Sequence, residues 1–313
     1  MLTYKCDNVC RHCLYNGSPK SSSDVMTEEM IDRTMQALSK ERSLDGIHFG
    51  GGESSLFVDR LIYAVRSANR HGVRIDYLET NGGWCVDDQT AMDGFKRLRD
   101  AGLPGVLISA SLFHLEFIPL NVTKTAIRAA HKVFGGAFVW TDEVLQLMER
   151  LPDHGKKYPI HESCRLLGIN PADGALWQIH SYLNPCGRAA RRLSEGLQRH
   201  PVEKFSGDSC GRIFQSTGHF HIDPYGNLFT GHCPGISVAN VDNLHSVVDE
   251  STAPFFMALC EDGVVEAWKR YAPEFQPDAT GYIGKCHFCL ELRNHLFERN
   301  RFAELRPSEM YRN

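Results

Sequence analysis

Long apolar runs are missing from this sequence. No window reaches the ~18 uncharged apolar residues that a membrane span needs, and the first residues, MLTYKCDNVC, contain no apolar segment of the kind that directs secretion. A basic stripe interleaved with aromatics, which would favour nucleic acid, is also missing: 34 Lys and Arg face 38 Asp and Glu, for a net charge of -4. We therefore expect a cytoplasmic protein that binds neither membrane nor nucleic acid.

The cysteines do not follow the pattern of a disulfide framework. There are 11 of them in 313 residues, an odd number in a long chain, whereas such frameworks belong to short secreted proteins. Metal or cluster ligation is the better interpretation of the grouped cysteines. The isolated ones are interpreted as buried apolar residues, a common environment for free cysteine: Cys85, Cys164, Cys186 and Cys260.

Short β-rich segments alternate with helical patterns through the first half of the chain, which is typical of βα units on a parallel sheet. Thr27 is a predicted N-cap for a helix whose Ile31, Met35 and Leu38 share one face. Glycines and polar residues collect at the carboxyl ends of the strands, where parallel β/α barrels bind ligands. The six predicted strands are residues 2–5, 46–49, 74–78, 106–110, 137–141 and 175–182.

The alternation of strand and helix patterns ends at about residue 200, and a different sequence pattern follows. Alternating apolar residues around the turn DPYGN at 223–227 predict a β-hairpin, and KCHFC at 285–289 opens a final helix. We predict two domains, an α/β domain at 1–195 and a small α+β domain at 196–313.

Cys6, Cys10 and Cys13 form a CxxxCxxC motif directly after the first predicted strand. Thiolates are the soft ligands that iron-sulfur clusters require, and three of them on one loop can hold three corners of a 4Fe-4S cubane. The fourth iron then has no protein ligand. A zinc ion with a distant fourth ligand is the alternative.

With this cysteine motif, residues 1 to about 190 resemble the radical SAM superfamily. The family's GGE(P) motif is matched by Gly51, Gly52 and Glu53, with Ser54 in place of the usual proline, and His12 stands where an aromatic precedes the third cysteine. The resemblance implies a partial (β/α)6 TIM-type barrel in which S-adenosylmethionine chelates the open iron. Glycines would let the backbone approach the methionine part of S-adenosylmethionine, and the carboxylate of Glu53 would pair with its ammonium group. A glycine turn that merely ends a strand is the alternative.

Further cofactor contacts are implied by position. Asn81 in Thr80-Asn81-Gly82 matches the Asn-Gly that often closes the third strand in the family, and Ser109 or Ser111 stands where a polar residue reaches S-adenosylmethionine. Arg188 would pair with its carboxylate as a bidentate fork. Ordinary turns, a satisfied core hydroxyl and a surface ion pair are the alternatives. The family's adenine motif, GxIxGxxE, has no counterpart near residues 138–144.

The C-terminal cysteines resemble the ligands of a Twitch domain, the shortened relative of SPASM, in which four thiolates saturate one auxiliary 4Fe-4S cluster. Two cysteines bracket the hairpin and two form the CxxC motif: Cys210, Cys233, Cys286 and Cys289. Six residues, where four are usual, separate Gly226 from Cys233. A four-cysteine zinc site is the alternative, and Cys260 is an alternative ligand.

The resemblance implies a radical SAM oxidoreductase or maturase. Such an enzyme reductively cleaves S-adenosylmethionine to a 5′-deoxyadenosyl radical, abstracts a substrate hydrogen and oxidatively modifies a ribosomal peptide or a small metabolite. It needs an electron donor such as flavodoxin or ferredoxin. Candidate bases are His114, Glu116 and Asp223, with His221 a further candidate by position. A 3-amino-3-carboxypropyl radical transferase and a non-catalytic iron-sulfur or zinc protein are the alternatives.

Overall fold

Two groups of residues pack separately in the computed structural model of this chain, which describes residues 1–139, 142–215, 218–231 and 233–311. The first unit comprises Met1–Cys10 and Gly17–Tyr182, and the second comprises Arg11–Asn16 and Leu183–Asn313. The domain division at 195/196 stays a prediction. Among the described residues, no helix is long and apolar enough to cross a membrane.

A four-stranded parallel sheet forms the centre of the first unit and confirms the predicted α/β class. Its strands follow chain order across the sheet: β1 (Ile47–Phe49), β2 (Ile75–Thr80), β3 (Val106–Ile108) and β4 (Phe138–Val139). Its helices are α1 (Glu28–Leu38), α2 (Val58–Arg70), α3 (Asp88–Asp100), α4 (Leu120–Phe134), α5 (Asp142–Glu149), α6 (Ile160–Leu167) and α7 (Ala175–Ile179).

The helices bury their apolar faces as the sequence pattern predicts. The Thr27 hydroxyl accepts a hydrogen bond from the Met30 backbone at 3.1 Å, which confirms it as the N-cap of α1. Leu61 of α2 and Phe95 of α3 are fully buried, as is Leu78 of β2. Each such side chain contributes roughly 1.5–3 kcal/mol of hydrophobic stabilisation.

Two predicted strands are wrong, and one is seen only in part. Residues 175–182 contain α7 instead of a strand; its Leu176 is buried, and a short apolar run fits a helix as well as a strand. Residues 2–5 form only two isolated bridges, Thr3 to Val25 and Lys5 to Ser18, because a loop takes part of their backbone hydrogen bonding: Leu2 N–H donates to Gly50. The fifth strand is β4, and Trp140 and Thr141 lie outside the described residues.

The second unit contains the predicted hairpin. Strand β5 (Phe220–Ile222) pairs antiparallel with β6 (Asn227–Thr230), and β7 (Ala239–Asn240) adds a third strand. The final helix, α12 (Lys285–Glu298), begins at the CxxC motif as predicted. The other helices of this unit are α8 (Gly187–Arg192), α9 (Gly211–Gln215), α10 (Pro254–Glu261) and α11 (Val264–Tyr271).

Candidate functional site

The segment that carries Cys6 is held by backbone and side-chain hydrogen bonds. The N–H of Cys6 donates to Ser18 at 3.2 Å, and the N–H of Asn8 donates to the Cys6 sulfur at 3.4 Å. The Asn81 side-chain amide donates to Asp7 at 2.7 Å and lies 4.0 Å from the Cys6 sulfur. The Cys6 sulfur also lies 3.8 Å from an Asp7 oxygen. Neighbours that hold a ligand in place are typical of metal-binding residues, so this arrangement fits a metal-ligating cysteine.

The glycine motif lies against the backbone of the first residues. The N–H of Gly52 donates to Thr3 at 2.8 Å, and the N–H of Glu53 donates to Lys5 at 2.7 Å. A Cβ added at Gly52 would lie 2.1 Å from the Lys5 carbonyl oxygen. Gly51 has φ +121°, and its added Cβ would lie 2.8 Å from the Thr3 carbonyl oxygen. Both positions therefore require glycine on steric grounds.

Ser54, which replaces the usual proline, helps to close this loop. Its side chain is fully buried, and its hydroxyl donates to the Gly50 carbonyl at 3.3 Å.

Glu53 is a buried carboxylate that connects the glycine loop to the end of β2. Its side chain is 2% exposed, and it accepts hydrogen bonds from the Thr80 hydroxyl at 2.8 Å, the Asn81 N–H at 2.8 Å and the Ser55 N–H at 3.2 Å. Burial raises the pKa of Glu53, while these hydrogen bonds act in the opposite direction. The chain of contacts from Glu53 through Asn81 to Asp7 joins the glycine motif to the cysteine loop.

The polar residues that follow β3 contact neighbours in the first unit. The Ser109 hydroxyl lies 3.4 Å from Glu79, and the Ser111 hydroxyl lies 2.8 Å from Nδ1 of His114. Burial, with a smaller contribution from nearby His180, lowers the pKa of His114 to about 4. The imidazole of His114 is therefore neutral near pH 7.

Two other candidate bases have evident structural contacts. The Glu116 carboxylate accepts from the N–H of Ile160, the first residue of α6, at 3.2 Å. Asp223 is fully buried in the hairpin turn and accepts from the backbones of Tyr225 and Asn227, both at 2.9 Å. These contacts explain both residues as local stabilisers, and a role as base stays a prediction for each.

Arg188 lies beside the third cysteine of the motif, within the second unit. Its N–H donates to the Cys13 carbonyl at 3.0 Å, and its guanidinium lies 3.3 Å from Asn16. Gly187 has φ +57°, and an added Cβ there would lie 2.8 Å from the Cys13 carbonyl oxygen. Arg188 is 9% exposed, so the alternative of a surface ion pair does not describe its environment.

The predicted auxiliary cysteines lie together. Cys210, Cys233, Cys286 and Cys289 line one cavity in the second unit, and Cys186 lines it as a fifth thiol. Cys260 does not line this cavity. Burial, with a smaller contribution from Cys233, raises the pKa of Cys286 to about 11. From the sequence, Cys186 was interpreted as a plain buried residue because no other cysteine lies near it in the sequence at the spacing of a metal-binding motif.

A buried cation, Arg293, also lines this cavity. Its side chain is 3% exposed; one terminal nitrogen donates to the Pro234 carbonyl at 2.8 Å, and its Nε has no hydrogen-bond partner among the described residues. A buried charge is costly unless an opposite charge balances it. Thiolates and a buried cation together fit an anionic, thiolate-ligated group. Sequence reasoning missed Arg293, although it follows Cys286 and Cys289 at i+7 and i+4, on the same helix face.

Comparisons with known proteins identify a family for the first part of the chain. The family model described as the Radical SAM superfamily matches residues 1–171. The curated "Putative peptide biosynthesis protein YydG" of Bacillus subtilis (strain 168) is 23% identical over 134 residues, 42% of this chain; the chain spans only 40% of that relative. The solved structure titled "Crystal structure of BtrN in complex with AdoMet and 2-DOIA" is similar with a TM-score of 0.43 and 14% identity, covering 84% of this chain and 85% of BtrN.

The family match carries the assignment, since it covers more than half of the 313 residues. Membership implies a 4Fe-4S cluster and S-adenosylmethionine as cofactors. This chain therefore belongs to the Radical SAM superfamily.

Proposed function

We propose that this chain is a radical SAM enzyme that oxidatively modifies a peptide. Cys6, Cys10 and Cys13 hold the cluster with the open iron in this proposal. The observation that carries it is the contact chain Glu53–Asn81–Asp7, because it fixes the glycine motif beside the cysteine loop through hydrogen bonds of 2.7 to 2.8 Å.

The cofactor-facing roles follow from these contacts. Gly51 and Gly52 are proposed as backbone contacts to S-adenosylmethionine, and both must be glycine because an added Cβ would meet the Thr3 or Lys5 carbonyl oxygen. Glu53 orients Asn81 and supplies negative charge near an ammonium group. Ser109, Ser111 and Arg188 are proposed as further contacts to S-adenosylmethionine, with Arg188 matched to a carboxylate by its planar fork.

The bound cluster and S-adenosylmethionine supply one-electron reduction and hydrogen abstraction. The protein must then exclude water and accept a proton from the substrate. We propose His114 as the residue that accepts it, because its imidazole is neutral and its Nδ1 is oriented by the Ser111 hydroxyl at 2.8 Å. Glu116 and Asp223 are kept as lesser candidates, since their oxygens already accept local backbone hydrogen bonds.

The second unit is proposed as a Twitch-like domain with an auxiliary 4Fe-4S cluster on Cys210, Cys233, Cys286 and Cys289. The shared thiol-lined cavity and the charge of Arg293 support an anionic occupant there. A zinc ion needs the same ligands and is separated from a cluster by metal analysis. An auxiliary cluster saturated by cysteine would suit acceptance of one electron from the substrate radical that hydrogen abstraction leaves.

A peptide substrate is favoured over a small metabolite by one observation. The relative YydG is named a peptide biosynthesis protein, and its matched part lies within a family that modifies substrates by radical chemistry. We extend this substrate class to the present chain as part of the proposal, together with a partial β/α barrel architecture for the first unit.

Anaerobic reconstitution tests the metal sites. The wild-type chain should bind about eight irons, and alanine at Cys6, Cys10 and Cys13 together should leave about four. Alanine at Cys286 and Cys289 should remove the other four and leave reductive cleavage chemistry at the first site. A wild-type chain with only four irons, all retained in the triple variant, contradicts the proposal.

The nucleoside product tests the reaction class. With dithionite as reductant, the wild-type protein should convert S-adenosylmethionine to 5′-deoxyadenosine, and the triple-cysteine variant should not. Methylthioadenosine as the product would instead identify a 3-amino-3-carboxypropyl radical transferase, and no cleavage at all would identify a non-catalytic metalloprotein.

A further inference from the structure

A chain of three polar side chains lies just after β3 in the first unit. The Ser111 hydroxyl lies 2.8 Å from Nδ1 of His114, and it also forms a hydrogen bond with the Tyr182 hydroxyl. Ser111 itself is fully buried, so water does not compete for its hydroxyl. The three residues therefore form one continuous hydrogen-bonded chain, Tyr182–Ser111–His114.

Tyr182 is the member of this chain on which the cysteine motif acts. Burial raises the pKa of Tyr182 above its usual value, and the nearby Cys10 thiol and Glu79 carboxylate add smaller contributions in the same direction. The phenol therefore keeps its proton near pH 7 and has a proton to pass on. Because Cys10 belongs to the CxxxCxxC motif, this end of the chain lies on the side of the proposed cofactor site.

His180 packs against both ends of the chain. Its ring lies 5.9 Å from the Tyr182 ring and 4.5 Å from the Phe113 ring, and its Nδ1 lies 2.9 Å from the Leu176 carbonyl oxygen. A carbonyl only accepts, so Nδ1 of His180 carries the proton, and its buried Nε2 has no hydrogen-bond partner among the described residues. Burial lowers the pKa of His180 to about 4, so this ring is neutral near pH 7. A neutral His180 lets His114 become the single cation of the cluster, since two adjacent imidazolium groups would repel each other.

Acid and base strength set the direction of the hydrogen bonds. A serine hydroxyl has one proton to donate and can accept from other groups. A neutral imidazole nitrogen is a stronger base than a phenol oxygen, and a phenol is a stronger acid than a serine hydroxyl. Tyr182 therefore donates to Ser111, and Ser111 donates to Nδ1 of His114.

This direction fixes the tautomer of His114. With Nδ1 as the acceptor, the single ring proton of the neutral imidazole stays on Nε2. The one lone pair of the ring then faces the Ser111 hydroxyl. A proton reaches this lone pair only through Ser111, and Ser111 receives its own proton from Tyr182.

We propose that Tyr182 takes the proton from the substrate and that Ser111 relays it to His114. The substrate proton bonds to the Tyr182 oxygen as the phenol proton moves to Ser111, and the serine proton moves to Nδ1 of His114. The substrate thus loses one proton and the imidazole gains one, while the accompanying electron goes to the auxiliary cluster. The inference rests on the proposed function, in which His114 is the final acceptor.

Nitrogen NMR tests the relay without a substrate. The oxidised, reconstituted full-length protein is labelled with nitrogen-15 histidine, and the His114 signal is identified by its absence from His114→Gln. The wild type should show one neutral tautomer near pH 7, with the proton on Nε2. Ser111→Ala removes the donor to Nδ1, so this tautomer should lose its dominance. Tyr182→Phe keeps the Ser111 donor and should retain it.

The ratio of two products tests the role of the phenol in turnover. With dithionite, S-adenosylmethionine and a synthetic peptide that the wild type modifies, Tyr182→Phe should form about 100-fold less modified peptide per 5′-deoxyadenosine. The reason is that a substrate radical that cannot lose its proton does not go on to product. Tyr63→Phe is the matched control: it removes a phenol hydroxyl that donates to Asp32 at 2.7 Å, and it should keep the wild-type ratio. All three proteins should have equal iron content.

Two results would overturn the inference. One is a wild-type His114 with its proton on Nδ1, since its lone pair would then face away from Ser111. The other is a product ratio in Tyr182→Phe equal to that of Tyr63→Phe, since the phenol would then carry no proton. A wild type that cleaves no S-adenosylmethionine, or modifies no peptide, sinks the proposed function instead, and the tautomer of His114 still decides the relay.

Discussion

A methyl group at Gly52 is the smallest perturbation that should separate the cysteine loop from the glycine motif. In Gly52→Ala, the new Cβ would lie 2.1 Å from the Lys5 carbonyl oxygen and 2.7 Å from its carbonyl carbon. These are backbone atoms, so no side-chain rotation relieves the clash. The two segments must separate by about 1 Å to restore an ordinary carbon–oxygen contact.

The cost follows from the hydrogen bonds that hold these segments. Separation weakens the bond from Gly52 N–H to Thr3 at 2.8 Å and the bond from Glu53 N–H to Lys5 at 2.7 Å. Each contributes about 0.5–1.5 kcal/mol net, and loop strain adds to their loss, so we expect destabilisation of about 2 to 4 kcal/mol. Lys5 directly precedes Cys6, so the displacement should also lower occupancy of the first metal site.

Gly50→Ala is the matched control within the same glycine triplet. Its added Cβ would lie no closer than 3.4 Å to any atom, and that atom is the carboxylate oxygen at the flexible end of Glu79. We expect its stability to stay within about 0.5 kcal/mol of wild type.

Denaturant unfolding and iron counting after reconstitution test both variants. Gly52→Ala should unfold at lower denaturant concentration and lose about four irons, with the auxiliary site retained. The reasoning is refuted if Gly52→Ala matches Gly50→Ala in unfolding midpoint, iron content and affinity for S-adenosylmethionine.

Three further predictions concern single side chains. In the wild type, His114 has a lower pKa in the folded than in the unfolded chain, so the unfolded chain binds an extra proton and stability falls, by up to about 3 kcal/mol, as the pH falls from about 6.5 to 4. His114→Gln should remove this pH dependence, as measured by denaturant unfolding at each pH. Arg293→Met should lower the reduction potential of the auxiliary cluster, whereas Arg293→Lys should restore most of it; equal potentials in a redox titration contradict this. Cys186→Ser should retain about eight irons, whereas Cys233→Ser should not; iron loss from both makes Cys186 a ligand.

Local sequence patterns predicted what depends on neighbours in the chain. The Thr27 N-cap, the hairpin around residues 223–227 and the helix at the CxxC motif all follow from short-range hydrogen bonding and periodicity, and all are confirmed. The cysteine triplet and Gly51-Gly52-Glu53 identified the superfamily because their chemistry is carried by spacing along the chain.

Tertiary structure decided what depends on residues far apart in the chain. Residues 175–182 contain an apolar run that suits either element, and in the structure residues 175–179 form a helix with Leu176 buried. Glu53 meets Asn81, Cys186 joins four distant thiols, and Tyr182 meets Ser111 only after folding. Sequence spacing determined which metal-ligand chemistry is predicted for this chain, because residues a few positions apart on one loop stay near each other. The fold alone decided which charges and thiols surround it, since burial and contact depend on how distant segments pack.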